Sequence, residues 1–274
     1  MSFNGKAIYN PSGKAGEYSY WACNFYVGCS NGCTYCYLKK GRSAKCLGGI
    51  IPTLKKCFRD EAHAIQVFEK ELLQNLEELK KHGLFFSFTT DPMLPETMRL
   101  TMLALAKCII YEVPVKILTK NANFVDFGEF PFVILNQFSI IAKQRIAFGF
   151  TVTGHDELEP GASTNAERIE AMEKLKEAGF RTFASIEPIV DLNDSLKMIF
   201  NTLEFCNLFK IGLMSGEKYD IEHLHLFKQK VHEYTKVFGN KVYYKDSFLK
   251  QANLPREAFS GENYVTRDYN IFKN

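Results

Sequence analysis

No stretch of this sequence approaches the roughly 18 uninterrupted apolar residues that a membrane-spanning helix needs. Its opening, MSFNGKAIYNPSGKAGEYSYW, has no apolar core of signal-peptide length. Both absences lead us to expect a cytoplasmic protein with no membrane partner. A strong charge of either sign is missing too: 34 Lys and Arg stand against 31 Asp and Glu, a net charge of +3. That excess is too small to argue for nucleic acid by itself, and it neither implies nor excludes a charged substrate. There is no low-complexity run, no repeat of fixed period and no early glycine loop of the dinucleotide-binding kind.

What remains is an ordinary globular composition, 46% hydrophobic and 24% charged over 274 residues, enough for a sizeable core in one large domain or one domain with a small appendage. The eight cysteines are Cys23, Cys29, Cys33, Cys36, Cys46, Cys57, Cys108 and Cys206. In a reducing compartment they are expected as thiols or metal ligands rather than disulfides.

Along the chain, YSYWACNFYV reads as a first strand, and an irregular basic connection follows over 41–59. Ile65, Phe68, Leu72, Leu76 and Leu79 recur every three or four residues, which predicts a helix closed by Gly83. LFFSFTT is a second strand. Pro95 and Glu96 open a helix carrying Met98, Met102, Leu105 and Ile109, and PVKILT is a third strand. Residues 122–142 are expected to hold a helix, and RIAFGFTVT a fourth strand. Thr164 and Glu167 form a capping box for a helix that buries Ile169, Met172 and Leu175 and stops at Gly179. FRTFASIEPIV, a helix over 194–205, LFKIGLM and a helix over 219–237 complete the pattern.

Strands alternating with helices require parallel pairing through right-handed crossovers, in a doubly wound sheet or a barrel. Six such units favour an α/β fold, a partial (β/α)6 barrel of the TIM type. We place it over 18–237, between an N-terminal extension (1–17) and a C-terminal appendage (238–274). Polar residues stand where each strand would finish: Thr89, Thr90 and Asp91; Thr119 and Lys120; Thr151 and Thr153; Glu187; Ser215. In a parallel barrel these ends share one face, the usual seat of chemistry.

The loop after the first strand, GCSNGCTYCYLKKG, belongs to that face and carries Cys29, Cys33 and Cys36 at spacings of four and three. Structural zinc takes four ligands, usually in paired Cys-x-x-Cys knuckles, and catalytic zinc takes His-rich or mixed sets; this loop contains no His. Cysteine-only ligation on a short loop suits an iron–sulfur cube, in which three thiolates hold three irons and leave the fourth open to a small molecule. A zinc site, or three thiols near one another by coincidence, remains the alternative. So does a cluster serving electron transfer alone, with Cys46 or Cys57 as its fourth ligand.

The spacing Cys-x3-Cys-x2-Cys, with Tyr35 just before the last cysteine, resembles the signature of the radical S-adenosylmethionine (SAM) superfamily. CTYCYL, TTDP, ILTK, FGFTVT, ELEPGASTNAERIEAMEKLKEAGF and SIEPIV occur in the order found in its spore photoproduct lyase branch, over roughly the middle two thirds of the chain. The resemblance implies a [4Fe–4S] cluster on Cys29, Cys33 and Cys36, with SAM on the open iron. Reduction of the cluster would cleave SAM to a 5′-deoxyadenosyl radical that abstracts hydrogen from substrate. An external one-electron reductant is implied as well. Tyr35 would line the adenine side of the cofactor, while Thr90, Asp91, Lys120 and Thr151 would contact its methionine or ribose parts. Tyr37 matches a tyrosine that relays hydrogen in the lyase.

Two departures accompany these matches. The lyase carries a donor cysteine shortly before its TSD-like motif, and the corresponding position here is Phe88. The tail from 238 onward is only loosely similar to the lyase's nucleic-acid-gripping region. Glu187, before Pro188, is an acid at a barrel mouth, suited to binding an amine or orienting a hydroxyl, with a salt-bridged structural carboxylate as the alternative. The resemblance makes a nucleic-acid base or lesion the leading substrate. Modification of a peptide or partner protein, and a non-catalytic iron–sulfur module, are the alternatives. The N-terminal residues resemble chains of paired radical enzymes on bacterial mobile elements, which implies a second radical SAM protein as partner. His223 and His225, two apart on one helix, do not share a face and should not form a metal pair.

Overall fold

The computed structural model describes residues 2–41, 44–126, 131–259 and 263–273. Its strands are β1 (Ile8–Tyr9), β2 (Ala22–Cys23), β3 (Tyr26–Val27), β4 (Thr53–Leu54), β5 (Leu84–Phe86), β6 (Val115–Thr119), β7 (Ile146–Thr151), β8 (Arg181–Ile189), β9 (Leu208–Leu213) and β10 (Lys241–Tyr244). Eight of them form one sheet in the order β1-β2-β5-β6-β7-β8-β9-β10, and β3 and β4 pair separately. From β2 to β10 every pairing is parallel; β1 adds antiparallel to β2. Helices cross over between successive strands, so the sheet curls into the expected partial barrel with all its strand C-termini at one end. Residues after 237 add β10 to its edge and a short helix, Asp246–Gln251.

The first strand is shorter than its aromatic run suggested. At Asn24 the chain leaves the sheet, because that side chain donates to the Tyr9 hydroxyl at 2.8 Å and accepts from the Phe88 amide at 2.8 Å. The helix expected from residue 60 to Gly83 is two helices, Glu61–Gln74 and Leu76–His82. They part at Asn75, whose side-chain amide donates to the Glu71 carbonyl at 2.8 Å and competes with the helical ladder. Within 122–142 stand a 3-10 turn and two five-residue helices, Phe132–Asn136 and Ile140–Gln144, the second started by a Ser139 cap; positions 127–130 lie outside the described residues. The helix Asn165–Glu177 has its capping box, but its fully buried face includes Asn165 and Arg168, while Ile169 is only partly covered.

Strand side chains alternate between two cores. Those pointing outward meet the helices, where Phe68, Leu72, Leu105, Met172, Leu175, Ile199 and Phe227 are buried. Those pointing inward, with Tyr18, fill the barrel: Ala22, Phe85, Ala147, Phe183, Leu208 and Tyr243. Gly149 belongs to this inner set for a steric reason, since a Cβ there would stand 2.2 Å from the Phe183 ring. Among the described residues no helix is long and apolar enough to cross a membrane.

Candidate functional site

A cavity of about 370 Å³ opens at the C-terminal ends of the strands. Cys29, Cys33, Cys36, Tyr35, Tyr37, Thr90, Asp91, Lys120, Thr151 and Glu187 all line it, so residues read from five separate stretches of sequence meet in one place. Cys46 and Cys57 are not among its lining residues, and all eight cysteines are unpaired with one another. Thr153 and His155 stand aside: Thr153 Oγ1 accepts from the His155 amide at 3.2 Å, and the His155 ring faces Glu157 and Asp194. His223 is exposed beside Asp220, whereas His225 bonds the Ala252 carbonyl, so the two do not converge.

The cysteine loop is pinned by two carboxylates. Asp91, buried after β5, accepts at Oδ2 from the Asn31 side chain (2.8 Å) and the Lys120 amide (2.7 Å). Its Oδ1 accepts from the Thr119 hydroxyl (2.6 Å) and the Met93 amide (3.0 Å). Glu159, buried on the loop after β7, accepts from the Tyr35 hydroxyl and pairs with Arg168 at 2.5 Å and Lys120 at 3.8 Å. The same loop clasps the cysteine loop through its backbone. The Thr34 amide donates to the Leu158 carbonyl, and the Gly161 amide to the Asn31 carbonyl, both at 2.9 Å.

Glu187, another lining residue, accepts from Tyr18 at 2.7 Å and from Lys245 at 2.8 and 2.6 Å, one bond to each oxygen. Tyr18 also bonds Ser185 at 2.6 Å and lies edge-on to Phe88, which is stacked on Phe85 at 4.4 Å. Phe88 lines the cavity, and its carbonyl accepts the Tyr37 hydroxyl; the Tyr37 ring is 62% exposed at the rim.

Burial pushes the Cys29 thiol up to about 12, with the Asp91 charge adding to it, and burial also raises Cys33. Thiols held up in this way become thiolates when a metal takes the place of the proton. Burial first, and then the neighbouring Glu159 charge, keep the Tyr35 phenol protonated. Two buried polar atoms on the cavity wall, Thr90 Oγ1 and Asn31 Oδ1, have no hydrogen-bond partner among the described residues. Such atoms carry a desolvation cost until a ligand satisfies them. Among the described residues no three His, Cys, Asp or Glu side chains converge as a single ion requires. Thiolates that each hold a different iron have no need to converge on one point. The donor set and the orphaned oxygens therefore fit a thiolate-bound cluster with a polar small molecule beside it.

Residues 23–206 match the family described as the Radical SAM superfamily. The chain belongs to that superfamily. This radical SAM chain is 26% identical over 236 residues to an uncharacterized protein of Methanocaldococcus jannaschii, covering 82% of each. It is similar in fold to spore photoproduct lyase complexed with dinucleoside spore photoproduct, with a TM-score of 0.58 and 16% identity, covering 85% of this chain and 78% of that one. It is also similar to SuiB of Streptococcus suis bound to S-adenosylmethionine, with a TM-score of 0.51 and 13% identity, over 82% of this chain. The chain spans about half of SuiB, 49% of its length.

Glu159, Arg168, Asn31, Tyr18 and Lys245 were not singled out by sequence reasoning. Glu159 and Arg168 lie within the EPGASTNAER block, whose likeness to the lyase branch was itself a signal. Lys245 lies in a tail that carried none.

Proposed function

We propose that Cys29, Cys33 and Cys36 hold a [4Fe–4S] cluster and that SAM occupies the adjoining cavity. When bound, a cluster reduced by an external one-electron donor would supply the electron that splits the sulfonium of SAM into methionine and a 5′-deoxyadenosyl radical for hydrogen abstraction. The observation that carries this reading is that three thiols and two unpartnered buried oxygens line one cavity.

The chain's own residues bind, orient and shield. Thr90 Oγ1 and Asn31 Oδ1 offer hydrogen bonds to a polar ligand beside the thiols. Tyr35 and Lys120 form a wall in which the ammonium stands 5.5 Å from the ring centre. Thr151 is 3% exposed, and its carbonyl is fixed by Arg168 at 2.7 Å. Asp91, with both oxygens engaged inside the protein, acts on the cofactor through the loop and strand ends it holds.

For the substrate we favour a nucleic-acid base or lesion. Phe88 and Tyr18 place aromatic rings on the cavity wall, and base–aromatic stacking is a common means of holding an unpaired base. The lyase with its dinucleoside ligand supports this reading through shared fold. Phe88 at the donor position implies a different end to the reaction, with Tyr37, whose hydroxyl bonds the Phe88 carbonyl, as the nearby relay candidate.

The test is anaerobic reconstitution with iron and sulfide, reduction, addition of SAM, and assay of 5′-deoxyadenosine and methionine beside the triple-cysteine variant. Production lost in the variant bears the reading out. A cluster that forms without cleaving SAM overturns it in favour of electron transfer. Salt-sensitive binding of oligonucleotides supports the substrate class, whereas a tight complex with a peptide, or with a second radical SAM protein, replaces it.

A further inference from the structure

Glu159 is fully buried, yet groups from three parts of the chain meet its carboxylate. Tyr35 comes from the cysteine loop, Lys120 from the end of β6, and Arg168 from the helix Asn165–Glu177. The two cations are held very differently. Arg168 is buried and also donates through Nε to the Ser163 carbonyl at 2.8 Å and through Nη1 to the Thr151 carbonyl at 2.7 Å, so it stays in place whatever happens to its anion. Lys120 has a fixed backbone, its amide on Asp91 and its carbonyl on the Ser163 amide, but its side chain is 18% exposed and has a route to solvent. With the carboxylate neutralised, Arg168 and Lys120 would be like charges sharing one buried space. The side chain free to leave is Lys120.

We propose that Glu159 is a positioning residue of the cofactor site, holding the Lys120 ammonium over the Tyr35 ring so that the cavity presents a fixed cation to the carboxylate of SAM. This rests on the reading that the cavity takes SAM. Glu159 itself is not a lining residue of the cavity; it acts through the two residues that are.

The variants are Glu159→Gln, which keeps shape and removes charge, Lys120→Met, and the two together. SAM binding to the reconstituted protein is measured by equilibrium dialysis. Each single variant should weaken it about tenfold, while the double variant stays within about twofold of Lys120→Met, because the second change has nothing left to disturb. Losses that multiply in the double variant would overturn the proposal and make Glu159 an independent structural support.

A second measurement uses the cofactor-free protein with 15N-labelled lysine. The Lys120 ammonium resonance, assigned by its loss in Lys120→Met, should be protected from exchange in the wild type and broadened away in Glu159→Gln. An ammonium that exchanges freely in the wild type overturns the proposal. Wild-type protein that binds no SAM at all refutes the cofactor reading instead, and the resonance still decides whether Glu159 holds Lys120.

Discussion

Asn31, in the middle of the cysteine loop, donates its side-chain amide to Asp91 Oδ2 at 2.8 Å, joining the loop to the turn after β5. The same carboxylate collects Thr119 and the Lys120 amide, so one side chain sets three neighbouring stretches of the cavity relative to each other. A loop of 14 residues with three glycines at positive φ, Gly28, Gly32 and Gly41, has many conformations to lose. Asp91 removes much of that freedom before any metal arrives.

Asp91→Ala should therefore lower iron loading as well as SAM affinity. Four donors lose their acceptor, and leaving buried donors unpaired costs about 1–3 kcal/mol each where no water replaces it. We expect a loss of about 3 kcal/mol in chemical denaturation of the cofactor-free protein. A variant that loads a full cluster and loses only SAM affinity would instead place Asp91 in direct contact with the cofactor.

Gly161 sits where the loop after β7 presses on the cysteine loop, and a Cβ there would stand 2.3 Å from the Ser30 carbonyl oxygen. Neither backbone can yield without breaking the Gly161 to Asn31 hydrogen bond. Gly161→Ala should cost about 2 kcal/mol and slow cluster insertion, measured as visible absorbance growth during reconstitution. Gly41→Ala, where a Cβ would meet nothing within 4 Å, is the comparison: its positive φ brings strain without collision. Equal reconstitution rates in the two variants would dismiss the clasp.

The cysteine spacing, the alternation of strands and helices and the polar strand ends were readable because each is a local pattern with a physical period. Partners were not readable. Nothing near Asp91 in sequence announces Asn31, 60 residues earlier. The burial of Arg168 broke its helix's apolar stripe, because its charge is matched by Glu159 on the preceding loop rather than by water. Lys245 follows β10, a strand of only four residues whose identity depends on pairing with β9. Short elements such as Phe132–Asn136 also escape periodicity, since five residues hold little more than one helical turn.

Lys116 points into the barrel with its ammonium 3.3 Å from the Tyr18 carbonyl, and burial pulls it down to about 8. Its pKa in the unfolded chain is about 10.4, so between pH 8 and about 10.4 the unfolded state holds more of this proton and stability rises with pH. Below pH 8 both states are charged and the folded protein bears the full penalty. Burial lowers Lys210 in the same direction, while thiols raised by burial, Cys29 and Cys206 among them, oppose the trend at higher pH. The difference between wild type and Lys116→Met isolates the lysine. The variant should be more stable at pH 7 by on the order of 2 kcal/mol, and the advantage should shrink towards pH 10. An advantage independent of pH would mean that packing, not charge, sets it.

Glu187 and Lys245 form an ion pair inside the barrel mouth, and Lys245 is 1% exposed. Removing one partner leaves the other charged in a place water barely reaches, at a cost of about 3–5 kcal/mol, whereas replacing both with uncharged side chains is often neutral. Glu187→Gln should thus be strongly destabilised, with Glu187→Gln/Lys245→Met recovering most of the loss in urea denaturation. The double variant separates architecture from chemistry. If Glu187 only holds Lys245 and Tyr18, the stable double variant should keep SAM cleavage at the wild-type rate. If Glu187 also binds or orients substrate, cleavage without substrate should persist while turnover of the substrate, once found, is lost. A double variant that remains as unstable as the single one would show that Glu17, 3.7 Å from Lys245, and Tyr18 depend on the pair as well.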